Sequence, residues 1–143
     1  MEANIHFFSE DIEFSLEHQS VIEEWIQQVI AEAGQSINEI NYIFCSDDYL
    51  LQINQDFLDH DYYTDIITFD NREEEEEEIL ADIFISVDRV QDNAAQLKQD
   101  LRTELHRVMI HGIHHLLGQG DKTEAEKSQM REREEASLSL LKI

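Results

Sequence analysis

"LRTELHRVMIHGIHHLLGQGD", residues 101–121, carries apolar side chains at Leu101, Leu105, Val108, Met109, Ile113, Leu116 and Leu117. They recur at helical spacing but spread well beyond one stripe, so the segment reads as a helix buried on most of its circumference. A helix of this kind has to be enclosed on several sides. The segments around it decide what encloses it.

Immediately upstream, "TDIITFD" (64–70) and "ILADIFISV" (79–87) are β-branched and aromatic, with "NREEEEEE" (71–78) between them. That predicts a strand, an acidic loop and a strand pairing as neighbours. "INEINYIFCS" (37–46) alternates imperfectly but is rich in strand formers, and "IHFFSEDIEFSL" (5–16) reads as one bent strand or a short hairpin. Helices separate these strands. Ser20 and Glu23 form a capping-box pattern ahead of Val21, Ile22, Trp25, Ile26, Val29 and Ile30, and Gly34 supplies the stop. "DDYLLQINQDFL" (47–58) is amphipathic with an aspartate cap. Asp88 caps a short helix ending near Lys98, Asp100 caps the buried helix, and Thr123 with Glu126 opens a polar C-terminal helix. Strands and helices mix without strict alternation. The expected class is α+β, a single domain over 1–143 with a mixed β-sheet packed by helices.

Composition agrees. A chain of 143 residues with 41% apolar content can bury one sizeable core. It contains no repeat, no proline and no Gly/Ser linker, so no domain boundary is visible. Cys45 is the only cysteine, so no intrachain disulfide can form, which suits a reducing cytosol. No run approaches the roughly 18 apolar residues of a membrane span, and the acidic N-terminus is unlike a signal peptide.

Charge is distributed unevenly. Residues 1–88 carry 24 acidic residues and one basic residue, which accounts for the whole formal charge of −23. Residues 89–143 carry nine of each. The first part repels a phosphate backbone, because non-specific nucleic-acid affinity comes from Lys and Arg. The last third does not. Blocks of like charge stay solvated, so Glu73–Glu78 reads as an exposed, mobile loop.

The buried helix carries chemistry at its end. His111 and His115 are separated by roughly 400° of helical rotation and project from nearly the same face. Gly118 follows three residues later, suited to a left-handed turn at the helix end, and Asp121 three beyond that. The spacing repeats the H-E-x-x-H-x-x-G-x-x-H zinc pattern with Asp in the third position. The candidate metal ligands are therefore His111, His115 and Asp121, leaving a fourth coordination position open, as in catalytic zinc sites. His114 points about 100° away from His115 and reads as a packing or surface residue. Gly112 occupies the position of the peptidase general base, which argues against a zinc peptidase and lets another backbone approach closely.

These residues resemble the YbeY family of bacterial metal-dependent endoribonucleases and ribosomal-RNA maturation factors. The family motif H-G-x-L-H-L-x-G-Y-D-H is matched at His111, Gly112, His115, Leu116 and Gly118. A second motif, L-N-x-x-[YF]-R-x-x-D-x-P-T-[DN]-V-L-S-F, is matched at Asn54, Phe57, Asp61, Thr64, Asp65 and Phe69. A third, L-G-D-I-x-I-S, is matched at Leu80, Asp82, Ile83, Ile85 and Ser86. The three blocks occur in family order. The chain departs at Asp121, where most members have histidine, and at Leu58, where an arginine thought to help RNA cleavage is usual. Gln119, Tyr63 and His114 replace the usual Tyr, Pro and Leu.

The resemblance implies one zinc ion (Zn2+) per chain, cleavage of single-stranded RNA, maturation of the small-subunit rRNA 3′ end and ribosome quality control in the cytoplasm. Its implied partners are single-stranded RNA, small-subunit rRNA, and ribosomal proteins or assembly factors, with no DNA and no membrane. No general base is legible. Arg102 and Arg107, on the metal helix, are the expected phosphate contacts. The alternatives are a non-catalytic ribosome-assembly factor with a structural metal and, disfavoured by Gly112, a zinc peptidase.

Overall fold

Four strands, β1 (Ile5–Ser9), β2 (Ile37–Cys45), β3 (Ile66–Asp70) and β4 (Ile79–Ser86), form one sheet in the order β1-β2-β4-β3 in a computed structural model of the chain. Residues 4–74 and 76–142 are described; Met1–Ala3, Glu75 within the acidic run, and Ile143 lie outside them. β1, β2 and β4 run parallel, and β3 pairs antiparallel with β4 as the sequence predicts, Phe69 opposite Asp82. The sheet is thus mixed and the class α+β.

The parallel pairs need helical crossovers. These are α1 (Gln19–Glu32) and α2 (Asp47–Leu58); α3 (Val87–Leu97), α4 (Leu101–Leu116) and α5 (Glu124–Leu140) follow the sheet. Alternation along β4 sends Ile79, Ala81, Ile83 and Ile85 to the main core, shared with Ile22, Trp25 and Ile26 of α1 and with α4. Phe84 faces the other way, into a smaller cluster with Leu50, Ile53 and Ile67 beneath α2.

α4 is the enclosed helix. Every residue from Glu104 to Ile110 is buried, and it packs on α1, α3, α5, β3 and β4. Tyr42 of β2 donates its phenol to the Met109 carbonyl at 3.0 Å, tying sheet to helix. No helix among the described residues is long and apolar enough to cross a membrane. Cys45 is buried, and burial pushes its thiol up to about 12.

Several local expectations are corrected. The strand near the N-terminus ends at Ser9, and Ile12 and Phe14 pack against the core from irregular chain. α1 begins before Ser20: its N-cap is His18, at φ 59 with no side-chain cap bond, and the His18 carbonyl already accepts the Ile22 N–H. The caps of α2 and α3 are Ser46 and Ser86, whose hydroxyls accept the N–H groups of Tyr49 and Arg89, both at 3.1 Å. In each case the serine sits at the last non-helical residue. Asp47 is then free to pair with Arg89, and Asp88 to accept the Asp47 N–H. Asp100 is the N-cap residue of α4 without a side-chain cap bond. The capping box of Thr123 and Glu126 is present.

Candidate metal centre

α4 carries His111 and His115 one turn apart, their ring centroids 4.6 Å from each other and their planes at 83°. The helix then ends in a Schellman turn. The Gly118 N–H donates to the His115 carbonyl at 3.0 Å and the Gln119 N–H to the His114 carbonyl at 2.9 Å, with Gly118 at φ +100°. The chain reverses and returns Asp121 over the two imidazoles. Gly120 helps by its size: a Cβ there would collide with the Glu126 carboxylate, which caps the N–H groups of Lys122 and Thr123. Arg72, the single basic residue before Arg89, donates to the Leu116 carbonyl at 2.8 Å and pairs with Asp70 at 2.7 Å, fixing the end of α4 against β3.

The donor set fits a tetrahedral cation. Asp121 Oδ2 stands 3.4 Å from His111 Nε2 and 3.2 Å from His115 Nε2. Ligands bonded to zinc at about 2.1 Å with tetrahedral angles stand about 3.4 Å apart. One ligand atom from each of the three residues falls within 4.8 Å of the others.

Glu134 on α5 completes the arrangement. Its Oε2 lies 2.6 Å from His111 Nδ1, and its Oε1 3.2 Å from Arg107. Burial would raise the Glu134 carboxyl, but hydrogen bonds from His111 and Arg107 hold it below the usual range. Burial likewise opposes protonation of His111, and Glu134 with Asp121 overrides it. With Nδ1–H donated to Glu134, a neutral His111 directs its Nε2 lone pair at the Asp121 carboxylate. Two lone pairs that face each other at this distance call for a proton or a cation between them. Orientation of a ligand histidine by a carboxylate on its other nitrogen is usual at protein metal sites.

The triad opens onto a cavity of about 670 Å³ whose wall includes Asn54, Tyr62, Asp65 and Thr68. Asp65 is half-buried, and burial raises its carboxyl above the usual range against the opposing pull of His111. Gly112 is packed behind the cavity wall, against the sheet. A Cβ there would meet Ile66 Cδ1 at 3.0 Å, Thr68 Oγ1 at 3.1 Å and Ile83 Cδ1 at 3.5 Å. The close neighbours are therefore side chains of the sheet, not another backbone, and a side chain at this position would have to displace them.

Thus His111, His115 and Asp121 come together. His114 is buried, its Nε2 2.8 Å from the Ser137 hydroxyl, a packing role. Arg107 borders a smaller cavity beside His111 and Asp121 but is buried and paired with both Glu134 and Glu135. Arg102 lies toward the other end of α4, pairs with Glu17 at 3.3 Å and lines a separate cavity with Leu105 and His106. Sequence reasoning missed Glu134, Arg72 and the placement of Asp65. Glu134 did leave a signal, since Met130, Glu134 and Ser137 form the buried stripe of α5 at helical spacing.

The family model described as Endoribonuclease YbeY matches residues 4–142. The Endoribonuclease YbeY of Cytophaga hutchinsonii is 55% identical over 142 residues, which cover 99% of each chain. That of Porphyromonas gingivalis is 44% identical over 140 residues, covering 98% of this chain and 91% of the relative. A Thermotoga maritima protein solved in solution superposes with a TM-score of 0.67, covering 96% of this chain and 88% of that one; at 23% identity this likeness is one of fold.

Proposed function

The chain belongs to the YbeY endoribonuclease family, and from that premise we propose that it is a zinc-dependent endoribonuclease, a hydrolase that cleaves phosphodiester bonds in single-stranded RNA. The observation that carries the metal part is the convergence of His111, His115 and Asp121 at one end of an open cavity. In the cell we assign it to maturation of the small-subunit rRNA 3′ end and to ribosome quality control in the cytoplasm. There it meets rRNA together with ribosomal proteins or assembly factors.

His111, His115 and Asp121 would hold one zinc ion. Imidazole donors favour zinc over magnesium. Zinc held there supplies Lewis acidity toward a phosphoryl oxygen and toward water. Glu134 keeps His111 in the tautomer that offers Nε2, and Asp121 contributes the negative charge that retains a cation. Asp65, in the wall of the same cavity, is a carboxylate whose raised pKa suits it to accept a proton nearer neutral pH. Arg107, beside the triad, and Arg102, further along α4, are the proposed phosphate contacts.

The test uses protein freed of contaminating nucleases. Elemental analysis should find about one zinc per chain and almost none in the double variant His111→Ala, His115→Ala. A single-stranded RNA should be cut by the first protein, by neither the double variant nor chelator-treated protein, and again after zinc is restored. Full metal content without cleavage would leave the ion a structural role and favour the assembly-factor reading.

A further inference from the structure

Two depressions of unlike character meet at the triad, both lined by His111 and Asp121, and we infer that a single RNA strand crosses from one to the other with an unpaired base stacked on Tyr62 and its phosphates along Lys127 and Arg131. This rests on the endoribonuclease reading and adds the orientation of the strand.

Tyr62 shares the cavity wall with His111, His115 and Asp121 and is 56% exposed. Its ring stacks on the His60 imidazole, centroids 5.1 Å apart and planes at 22°, and its hydroxyl lies 3.0 Å from His60 Nδ1. The loop is anchored from α2. Buried Asn54 donates its amide to the Tyr62 carbonyl at 2.9 Å, while the Asn54 carbonyl accepts the His60 N–H at 3.1 Å. The exposed aromatic neighbours are otherwise engaged. Phe57 meets Phe69 edge-on, and Tyr63 lies under the Arg89 guanidinium with its hydroxyl on Asp48. Neither lines the cavity. Asp59 and Asp61 precede Tyr62, in the part of the chain that carries the acidic excess. Phosphates are repelled on this wall, whereas stacking of a base on an aromatic ring needs no charge.

The second depression has the opposite character. Lys127 and Arg131, one turn apart on α5, line a depression together with His111 and Asp121. Both side chains are largely exposed, and their ion pairs are long, 3.8 Å to Glu124 and 3.7 Å to Glu134. The Lys127–Glu124 pair is exposed and contributes little, and Arg131 meets the buried Glu134 only at long range, so both exposed cations can also reach phosphate oxygens. They belong to the formally neutral last third of the chain.

Binding of two probes to the full-length protein tests the orientation: a labelled single-stranded 2′-O-methyl RNA oligomer and the same oligomer made abasic. Tyr62→Ala should weaken the first about tenfold, as expected for loss of one stacked base, and leave the second unchanged. Its salt dependence should not move, and Tyr62→Phe should restore affinity. The double variant Lys127→Gln, Arg131→Gln should weaken both oligomers and reduce the slope of log affinity against log salt by about 1.4, two single-strand phosphate contacts. Equal losses for both oligomers in Tyr62→Ala, no loss for either, or an unchanged slope in the double variant each overturn the assignment while leaving the nuclease reading intact. Failure of the unsubstituted protein to bind the base-bearing oligomer overturns both.

Discussion

His111 Nδ1 lies 2.6 Å from a carboxylate oxygen of Glu134, a residue 23 positions further along the chain and 5% exposed. The contact crosses from α4 to α5, so the docking of the C-terminal helix sets the direction in which a candidate ligand nitrogen points. Glu134 also accepts from Arg107, which makes the candidate metal centre and the α4–α5 interface one electrostatic unit.

Glu134→Gln tests this unit. Glutamine can still accept the Nδ1–H but brings no charge, so zinc affinity should fall about 10- to 100-fold, as at other sites deprived of an orienting carboxylate. Competition with a chromophoric chelator measures it. Unchanged affinity would mean that Glu134 serves the helix interface alone.

Asp121 sets the charge of the centre. Two imidazoles and a carboxylate leave a zinc site at about +1, against about +2 for three imidazoles. Asp121→His should retain zinc and move the alkaline rise of RNA cleavage to lower pH. Asp121→Ala should lose zinc and cleavage together. Retention of parental zinc affinity by Asp121→Ala would remove this residue from the ligand set.

Gly112→Glu introduces the H-E-x-x-H pattern and should not create a peptidase. The new side chain is driven toward Ile66, Thr68 and Ile83. Overpacking together with an unpaired buried charge should cost roughly 3 kcal/mol or more. Denaturant melts read this directly; a variant as stable as the parent would show that the sheet yields easily at this point.

His106 predicts a pH dependence of stability. It is buried against Trp25, and burial, then Arg102 and His18, lower its pKa from 6.5 to about 4. A depressed folded pKa means that the unfolded chain takes up the proton first. Its contribution is therefore present above about pH 6.5 and is lost as pH falls toward 4, by about 1–2 kcal/mol once solvent screening is allowed for. His106→Phe should flatten the loss in denaturation midpoint over this window. Parallel profiles for the two proteins would mean that His106 is no more depressed than a solvated histidine.

Arg102→Gln with Arg107→Gln should weaken RNA binding and lower its salt slope by about 0.7 for each phosphate contact removed. Arg107→Gln alone should also lower stability, because it breaks a buried pair and leaves Glu134 under-compensated. The slope is therefore the informative quantity. If it does not change, neither arginine meets phosphate.

The centre divides into local and long-range parts. His111, His115, Gly118 and Asp121 fall within eleven residues of chain. Helical periodicity and the left-handed cap act over that distance, so the spacing alone was readable. The β3–β4 pair was readable for the same reason, being two alternating strands joined by a polar loop. Ser46–Asp47 and Ser86–Val87–Asp88 each offer competing cap residues within three positions. Only backbone conformation distinguishes them.

Local sequence specifies the helix, its end and the three groups that can hold a cation, since each depends on residues a few positions apart. Tertiary structure decided the rest. The parallel pairing of β2 with β4 and the burial of α4 bring β3 against the helix that carries His111 and His115. Docking of α5 selects Glu134 from nine acidic residues of the last third and turns it toward His111. A carboxylate on an isolated helix looks alike at every exposed position. It acquires a distinct role only when burial removes water and leaves a particular nitrogen 2.6 Å away as its partner.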